Sequence, residues 1–208
     1  MSELNRQGIS GPIATVRFNR PNQRNSLPTE ILDSLDLEIS DLIANTELQT
    51  IIFTGTGNTF LSGADIRELN SLNPQTARDF SRKGQVLFEK IASASQLTIA
   101  AINGYCMGGG MDLALACDIR VASPTATFAH PGARLGIITG WGGTQRLPRV
   151  IGKARALEFF VTVRTLTSEQ ALEIGLVSRV GDPVIDCALD FWRSQRKMQN
   201  DSLEPTSS

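Results

Sequence analysis

The sequence predicts an α/β fold in which parallel strands are covered by helices. Two observations carry this. Apolar, β-compatible runs at residues 50–54 and 97–102 each empty into a glycine-rich turn, and each turn opens a segment of helical spacing. Further helical segments follow in the last third of the chain, at 144–151, 153–161 and 168–174. With 208 residues and 41% hydrophobic side chains, one domain with a substantial core is expected over residues 1–198, and the polar stretch 199–208 is expected to be a disordered tail.

In chain order, residues 12–18 alternate apolar and polar positions as a strand does, and 20–25 read as a loop. Thr29 is an N-cap candidate, because Ile31, Leu32, Leu35, Ile39, Leu42 and Ile43 follow it at helical spacing. After the strand at 50–54, the loop GTGNTFLSGAD starts a helix near Asp65. Residues 75–94 form another helix, with Phe80, Val86, Leu87 and Ile91 as its apolar residues. The stretch AINGYCMGGGMDLALACD is the centre of the chain: a buried strand, a tight turn, and three glycines opening a helix. Glycines there remove the Cβ atoms that would keep a ligand off the backbone, and first-turn N–H groups have no intrahelical acceptor. Such an entrance can hold a negative oxygen; it can equally be a turn that lets helix and strand pack closely. Residues 119–122 form a short strand, and 128–141 read as loop.

Charge and composition narrow the partners. Twenty Lys and Arg against 21 Asp and Glu leave a formal charge of −1, so no global field draws the chain to nucleic acid or to an anionic membrane. No apolar run approaches the ~18 residues of a membrane span, and the N-terminal MSELNRQ has no apolar core of a leader. Cys106, Cys117 and Cys187 lack metal-ligand spacing and are odd in number, which points to reduced thiols, a cytoplasmic location and no bound metal. Neither GxGxxG nor GxxxxGK[ST] occurs.

The segments NRPNQRNSL, FLSGADIREL, NGYCMGGGMDLALACDIRVAS, GWGGTQRLPRVIGKARALE and SEQALEIGLVSRV resemble, in order and separation, the enoyl-CoA hydratase/isomerase (crotonase) superfamily. The resemblance spans roughly residues 13–180. It implies a crotonase-like (ClpP/crotonase) spiral of repeated ββα units. It also implies an acyl-CoA thioester as substrate, with coenzyme A entering only as its carrier and no other cofactor, and a homo-oligomer, trimer or hexamer. By the same resemblance, the N–H groups of Ala64 and Gly109 form an oxyanion hole for a thioester enolate, whose oxygen gains charge where two fixed amides meet it. Arg24, Ser62, Ala64, Asp65, Ile66, Arg67, Tyr105 and Gly109 match substrate- and CoA-contacting positions, with Arg67 placed to meet a phosphate.

The carboxylates depart from the family's pattern. Hydratases of the family use two glutamates, since water must lose a proton while the α-carbon gains one. Here the first position matches Asp112 and the second matches Gly132. Asp112 is either the remaining acid–base group or a first-turn acid stabilised by the helix dipole. Between Asp118 and Glu158 there is no Asp or Glu. His130 and Arg134 flank the missing glutamate: His130 is a candidate acid or base or else a packed loop residue, and Arg134 is a candidate receiver for a distal substrate carboxylate in the volume Gly132 vacates. Family members commonly continue through C-terminal helices that close the acyl pocket, whereas here residues 184–198 are the last structured segment expected. Three functions follow as expectations. The first is an isomerase, decarboxylase or lyase using the oxyanion hole and one base. The others are a slow hydratase on Asp112 and an inactive acyl-CoA-binding or interaction protein.

Overall fold

The computed structural model describes residues 4–201, and its repeating unit is a long strand, a short strand and a helix. The chain begins with strands β1 (Leu4–Ser10) and β2 (Ile13–Phe18) and helix α1 (Thr29–Ala44). The first full unit is β3 (Thr50–Gly55), β4 (Thr59–Leu61), then α2 (Ile66–Ser71) and α3 (Pro74–Ala92). The second is β5 (Leu97–Ile102), β6 (Tyr105–Met107) and α4 (Gly109–Ala116). The third is β7 (Ile119–Ala122) and β8 (Thr127–Ala129), a 3-10 turn at Pro131–Leu135, then α5 (Gly143–Ile151) and α6 (Lys153–Thr162). The chain continues through β9 (Leu166–Thr167), α7 (Ser168–Glu173), β10 (Arg179–Val180) and α8 (Val184–Asp201).

The first strands of the units collect in one sheet, ordered β1-β2-β3-β5-β7-β10, and the short second strands in another, β4-β6-β8-β9. Pairing is parallel throughout except β1 with β2 and β8 with β9. The inner strands β3 and β5 of the large sheet are buried on both faces, and the period of two along a strand divides their residues between them. In β5, Ala100 and Ile102 join the main core while Ile99 and Ala101 face the other way. That second face is closed by Val184 and Ala188 of α8. The main core holds Phe53, Phe60, Phe88 and Phe128, each almost fully buried, which contributes roughly 1.5–3 kcal/mol per side chain.

The strands and helices read from the long apolar runs form where expected. The short ones do not show in the sequence: β4, β6 and β8 are three residues each and sit where turn or loop was expected. β1 forms across the polar N-terminal stretch, because its partner β2 supplies the hydrogen bonds. Thr29 is the first residue of α1 rather than its cap, since Pro28 holds the extended position before it and both the N–H and the hydroxyl of Thr29 donate to Glu68. Val86 lies on the exposed side of α3. Helix α8 runs to Asp201, over the start of the expected tail, and residues 202–208 lie outside the described residues. The three cysteines are free thiols. Among the described residues no helix is long and apolar enough to cross a membrane.

Candidate active site

Two helix entrances meet at the mouth of one cavity. A Cβ on Gly63 would stand 2.5 Å from the nitrogen of Gly109 and 3.0 Å from the carbonyl oxygen of Met107, and Gly63 has φ +91°, so only glycine lets these main chains touch. The contact sets Ala64, the next residue, beside the first turn of α4, where the N–H of Gly109 has no intrahelical acceptor. The loop is held from behind: the Ser62 N–H donates to the Arg24 carbonyl (3.2 Å), and the Leu27 N–H to the Gly63 carbonyl (2.8 Å). Trp141 backs the other side, its ring occupying the space a Cβ on Gly109 would need while its Nε1 donates to the Phe80 carbonyl at 3.3 Å.

The cavity has a volume of about 330 Å3. Its walls are apolar, from Ile66, Leu69, Leu72, Phe80, Leu135, Ile137, Ile138 and Trp141, and Ile66, Leu135, Ile137 and Ile138 are exposed around its mouth. The polar groups are Ser62, Ser81, the amide-bearing stretch Gly108–Gly109, Asp112, His130 and Thr139. Such a shape suits an apolar chain carrying one reactive polar end.

Asp112 is fully buried on the same first turn of α4 as Gly109. Its Oδ2 accepts from the Thr139 hydroxyl, and its Oδ1 lies 3.6 Å from His130 Nε2, too far for a hydrogen bond. Neither Oδ1 nor Nε2 has a partner of hydrogen-bond geometry. Burial drives the two groups in opposite directions. It pushes the Asp112 carboxyl up to about 7, against the Thr139 hydroxyl, main-chain groups of Trp141 and Gly143 and the charge of Arg146, all of which favour the carboxylate. It pushes the His130 imidazole down to about 4, so this side chain is neutral at pH 7. A carboxyl that titrates near neutrality takes and gives protons with equal ease.

The structure brings Ser62, Ala64, Ile66, Gly109, Asp112 and Gly132 together on the cavity wall. It does not bring the others there. Asp65 caps α2, accepting from the N–H groups of Arg67 and Glu68. Arg24, Arg67 and Tyr105 are exposed and lie outside the cavity lining. Arg134 is likewise exposed and outside the lining, and among the described residues no arginine lines the cavity. The volume expected beside Gly132 is absent too: a Cβ there would stand 2.8 Å from the Ile137 carbonyl oxygen, because the loop turns back on itself through an Ile137 N–H to Gly132 carbonyl bond (3.0 Å). Thr139 and Trp141 escaped sequence reasoning. Their signal was a hydroxyl and an indole in the ITGWGG loop just before a helix.

The profile of the enoyl-CoA hydratase/isomerase family matches residues 8–197. This chain belongs to that family. Among its relatives are the short-chain-enoyl-CoA hydratase of Clostridium acetobutylicum, 38% identical over 174 residues (83% of this chain, 67% of that protein), and the crotonyl-CoA hydratase of Syntrophomonas wolfei, 38% identical over 176 residues (82% and 66%). The crystal structure of an enoyl-CoA hydratase from Bacillus anthracis superposes with a TM-score of 0.88 at 33% identity, covering 93% of this chain and 76% of that one. The chain thus spans about two thirds of the length of the curated relatives it matches. These members of the enoyl-CoA hydratase/isomerase family are named as enzymes, and the arrangement of repeated strand–strand–helix units in two sheets is the fold this chain shares with the Bacillus anthracis hydratase.

Proposed function

We propose that the chain is an acyl-CoA enzyme of the enolate type. The thioester oxygen is held by the N–H groups of Ala64 and Gly109, and Asp112 moves the proton at the neighbouring carbon. One observation carries the reading: a fully buried carboxyl, raised to about 7, opens into an apolar cavity on the same helical turn as the Gly109 amide. A carboxylate kept only for the helix dipole is stabilised in water; this one is held where its charge is costly, as an acid–base group is. The site has a single carboxyl and therefore departs from the two-glutamate hydratases. No cofactor enters the scheme, and coenzyme A is the carrier part of the substrate. The names of the relatives support an acyl-CoA substrate, and the distal-carboxylate variant has no support from Arg134. The trimer or hexamer and the cytoplasmic location remain proposals on the sequence and the resemblance alone.

The test is hydrogen exchange at the α-carbon of butyryl-CoA in D2O, which needs an oxyanion hole and one base but no added water. Wild type should exchange, and Asp112→Asn, which keeps the size, should lower the rate at least ~10²-fold. Equal exchange in the two proteins would return Asp112 to a structural role.

A further inference from the structure

The cavity contains two buried polar atoms without a hydrogen bond of full geometry, Asp112 Oδ1, which has only the Gly143 and Trp141 main chain near its carboxylate, and His130 Nε2, and the two lie 3.6 Å apart. Buried polar atoms left open in this way call for a guest, because an unsatisfied group costs about 1–3 kcal/mol. The guest must be small and must both donate and accept. A water oxygen about 2.8 Å from each atom closes a triangle on that 3.6 Å base. We propose that His130 is the second acid–base residue of the site, and that His130 Nε2 and Asp112 Oδ1 together hold the water added across the double bond of a 2-enoyl thioester. The proposal rests on the enolate reading above and deepens it to a hydratase whose second group is an imidazole.

The fold explains why the histidine takes this place. His130 follows β8 directly, at the end of the strand that pairs with β6, so its backbone is fixed before the loop begins. Two residues later the loop has closed over Gly132, where no side chain fits without displacing the Ile137 carbonyl. The rings of Phe159 and Phe160 on α6 flank the imidazole at centroid distances of 6.0 and 5.1 Å and bring no charge to it. The charged group acting on Asp112 is Arg146 of α5, itself paired with Glu89 of α3 at 2.7 Å, while the thiol of Cys106 on β6 is kept protonated by burial and, secondarily, by Asp112 itself.

The protons balance. Water gives one proton to His130 Nε2 while its oxygen bonds to the β-carbon. The π pair moves toward the carbonyl, and the thioester oxygen gains charge at the Ala64 and Gly109 amides. As the enolate collapses, the Asp112 carboxyl gives its proton to the α-carbon. An imidazolium and a carboxylate then face each other, and once the product leaves and a second water takes the bridging place, the proton passes through it from Nε2 to Oδ1 and restores both groups. Nothing is oxidised or reduced.

His130→Gln keeps a polar side chain at the site and removes the base. We would measure hydration of crotonyl-CoA and α-exchange of butyryl-CoA in wild type, His130→Gln and Asp112→Asn, with thermal melts to establish that each variant folds. The expected result is a loss of hydration kcat of at least ~10²-fold in His130→Gln, with KM moving far less and exchange falling less than about tenfold. The wild-type hydration rate should fall below pH about 4 and above pH about 7, and His130→Gln should lack the acid limb. Hydration retained in His130→Gln overturns the proposal, as does an equal loss of hydration and exchange in a folded variant, which would make His130 a support for Asp112 only. Exchange dependent on Asp112 with no hydration in wild type overturns it while leaving the enolate reading standing. Absence of both reactions from wild type removes the enolate reading itself.

Discussion

The two ends of the cavity are built from different materials. The proposed oxyanion end is backbone: Gly63 and Gly109 touch so closely that no side chain intervenes, and the N–H groups proposed as donors sit at two helix entrances. The acid–base end is side chain: a carboxyl, an imidazole and a hydroxyl arriving from α4, the end of β8 and the loop before α5. A backbone site tolerates side-chain drift, because the amide is present whatever the residue carries. A side-chain site changes its chemistry with every substitution, and here Gly132 stands at the position that matches the second glutamate of the family's hydratases, with His130 two residues before it. One fold can therefore keep the means of holding an enolate while the means of moving its protons is rebuilt.

The largest effect is expected at the backbone end. Ala64→Pro deletes one of the two proposed oxyanion donors, and loss of one such donor typically costs about 10²–10³ in rate. Acyl-CoA turnover should fall by that factor, and calorimetry should show weaker acyl-CoA binding. A folded variant with undiminished turnover would break the comparison at its firmest point.

The acid–base end should instead declare itself in stability against pH. Asp112 is raised from 3.8 to about 7, so between those values the native state binds more protons than the unfolded chain and stability falls as pH rises. His130 is lowered from 6.5 to about 4, so in that window the unfolded chain binds more protons and stability rises with pH. Each slope is at most about 1.4 kcal/mol per pH unit, and from about pH 4 to 6.5 they oppose each other. Urea denaturation should give a nearly flat contribution in wild type. Asp112→Asn should become more stable as pH rises across that window, and His130→Gln less stable, by about 2–3 kcal/mol in total. Parallel profiles in all three proteins would show that burial does not set these two groups against each other.

Restoring the family's second carboxylate is a sharper test of whether the side-chain end has been rebuilt or merely depleted. In Gly132→Glu the new Cβ meets the Ile137 carbonyl oxygen at 2.8 Å, so the loop must move, at a cost of about 1–3 kcal/mol. Thermal melts should show the loss, with no gain in crotonyl-CoA hydration. A stable variant with faster hydration would mean that the glutamate's place had been kept open.

How much could be read from sequence follows the same division. The strands at 50–55 and 97–102 and the helices after them were legible because long apolar runs have a period, and the two glycine-rich helix entrances because glycines announce close backbone approach, whereas Ala64 and Gly109 within them were named by the family resemblance. The second sheet was not: strands of three residues such as Tyr105–Met107 carry no period, and they exist because neighbouring turns of the spiral pair them. The acid–base end was legible only as a list of residues in the 128–141 loop. His130 turns inward and Arg134 outward because a 3-10 turn forms over Pro131–Leu135 and closes through the Ile137 N–H to Gly132 carbonyl bond, a loop conformation that has no period in the sequence.

The smallest effect isolates a single hydrogen bond. The Thr139 hydroxyl donates to Asp112 Oδ2 and favours the carboxylate, so replacing it with a methyl in Thr139→Val should raise the Asp112 carboxyl further above 7. A rise of one unit corresponds to about 1.4 kcal/mol, at the low end of what a hydrogen bond to a charged group contributes. Butyryl-CoA exchange requires the carboxylate, so its rate should climb through the higher value. At pH 7 the ionised fraction would drop from about one half to about one tenth, a roughly fivefold loss of exchange that vanishes near pH 9. Hydration requires the protonated carboxyl, so its alkaline limb should move up by the same amount and its rate at pH 8 should rise relative to its own plateau. A Thr139→Val enzyme whose exchange and hydration limbs both stay at about 7 would show that the hydroxyl holds the aspartate in place without tuning its proton.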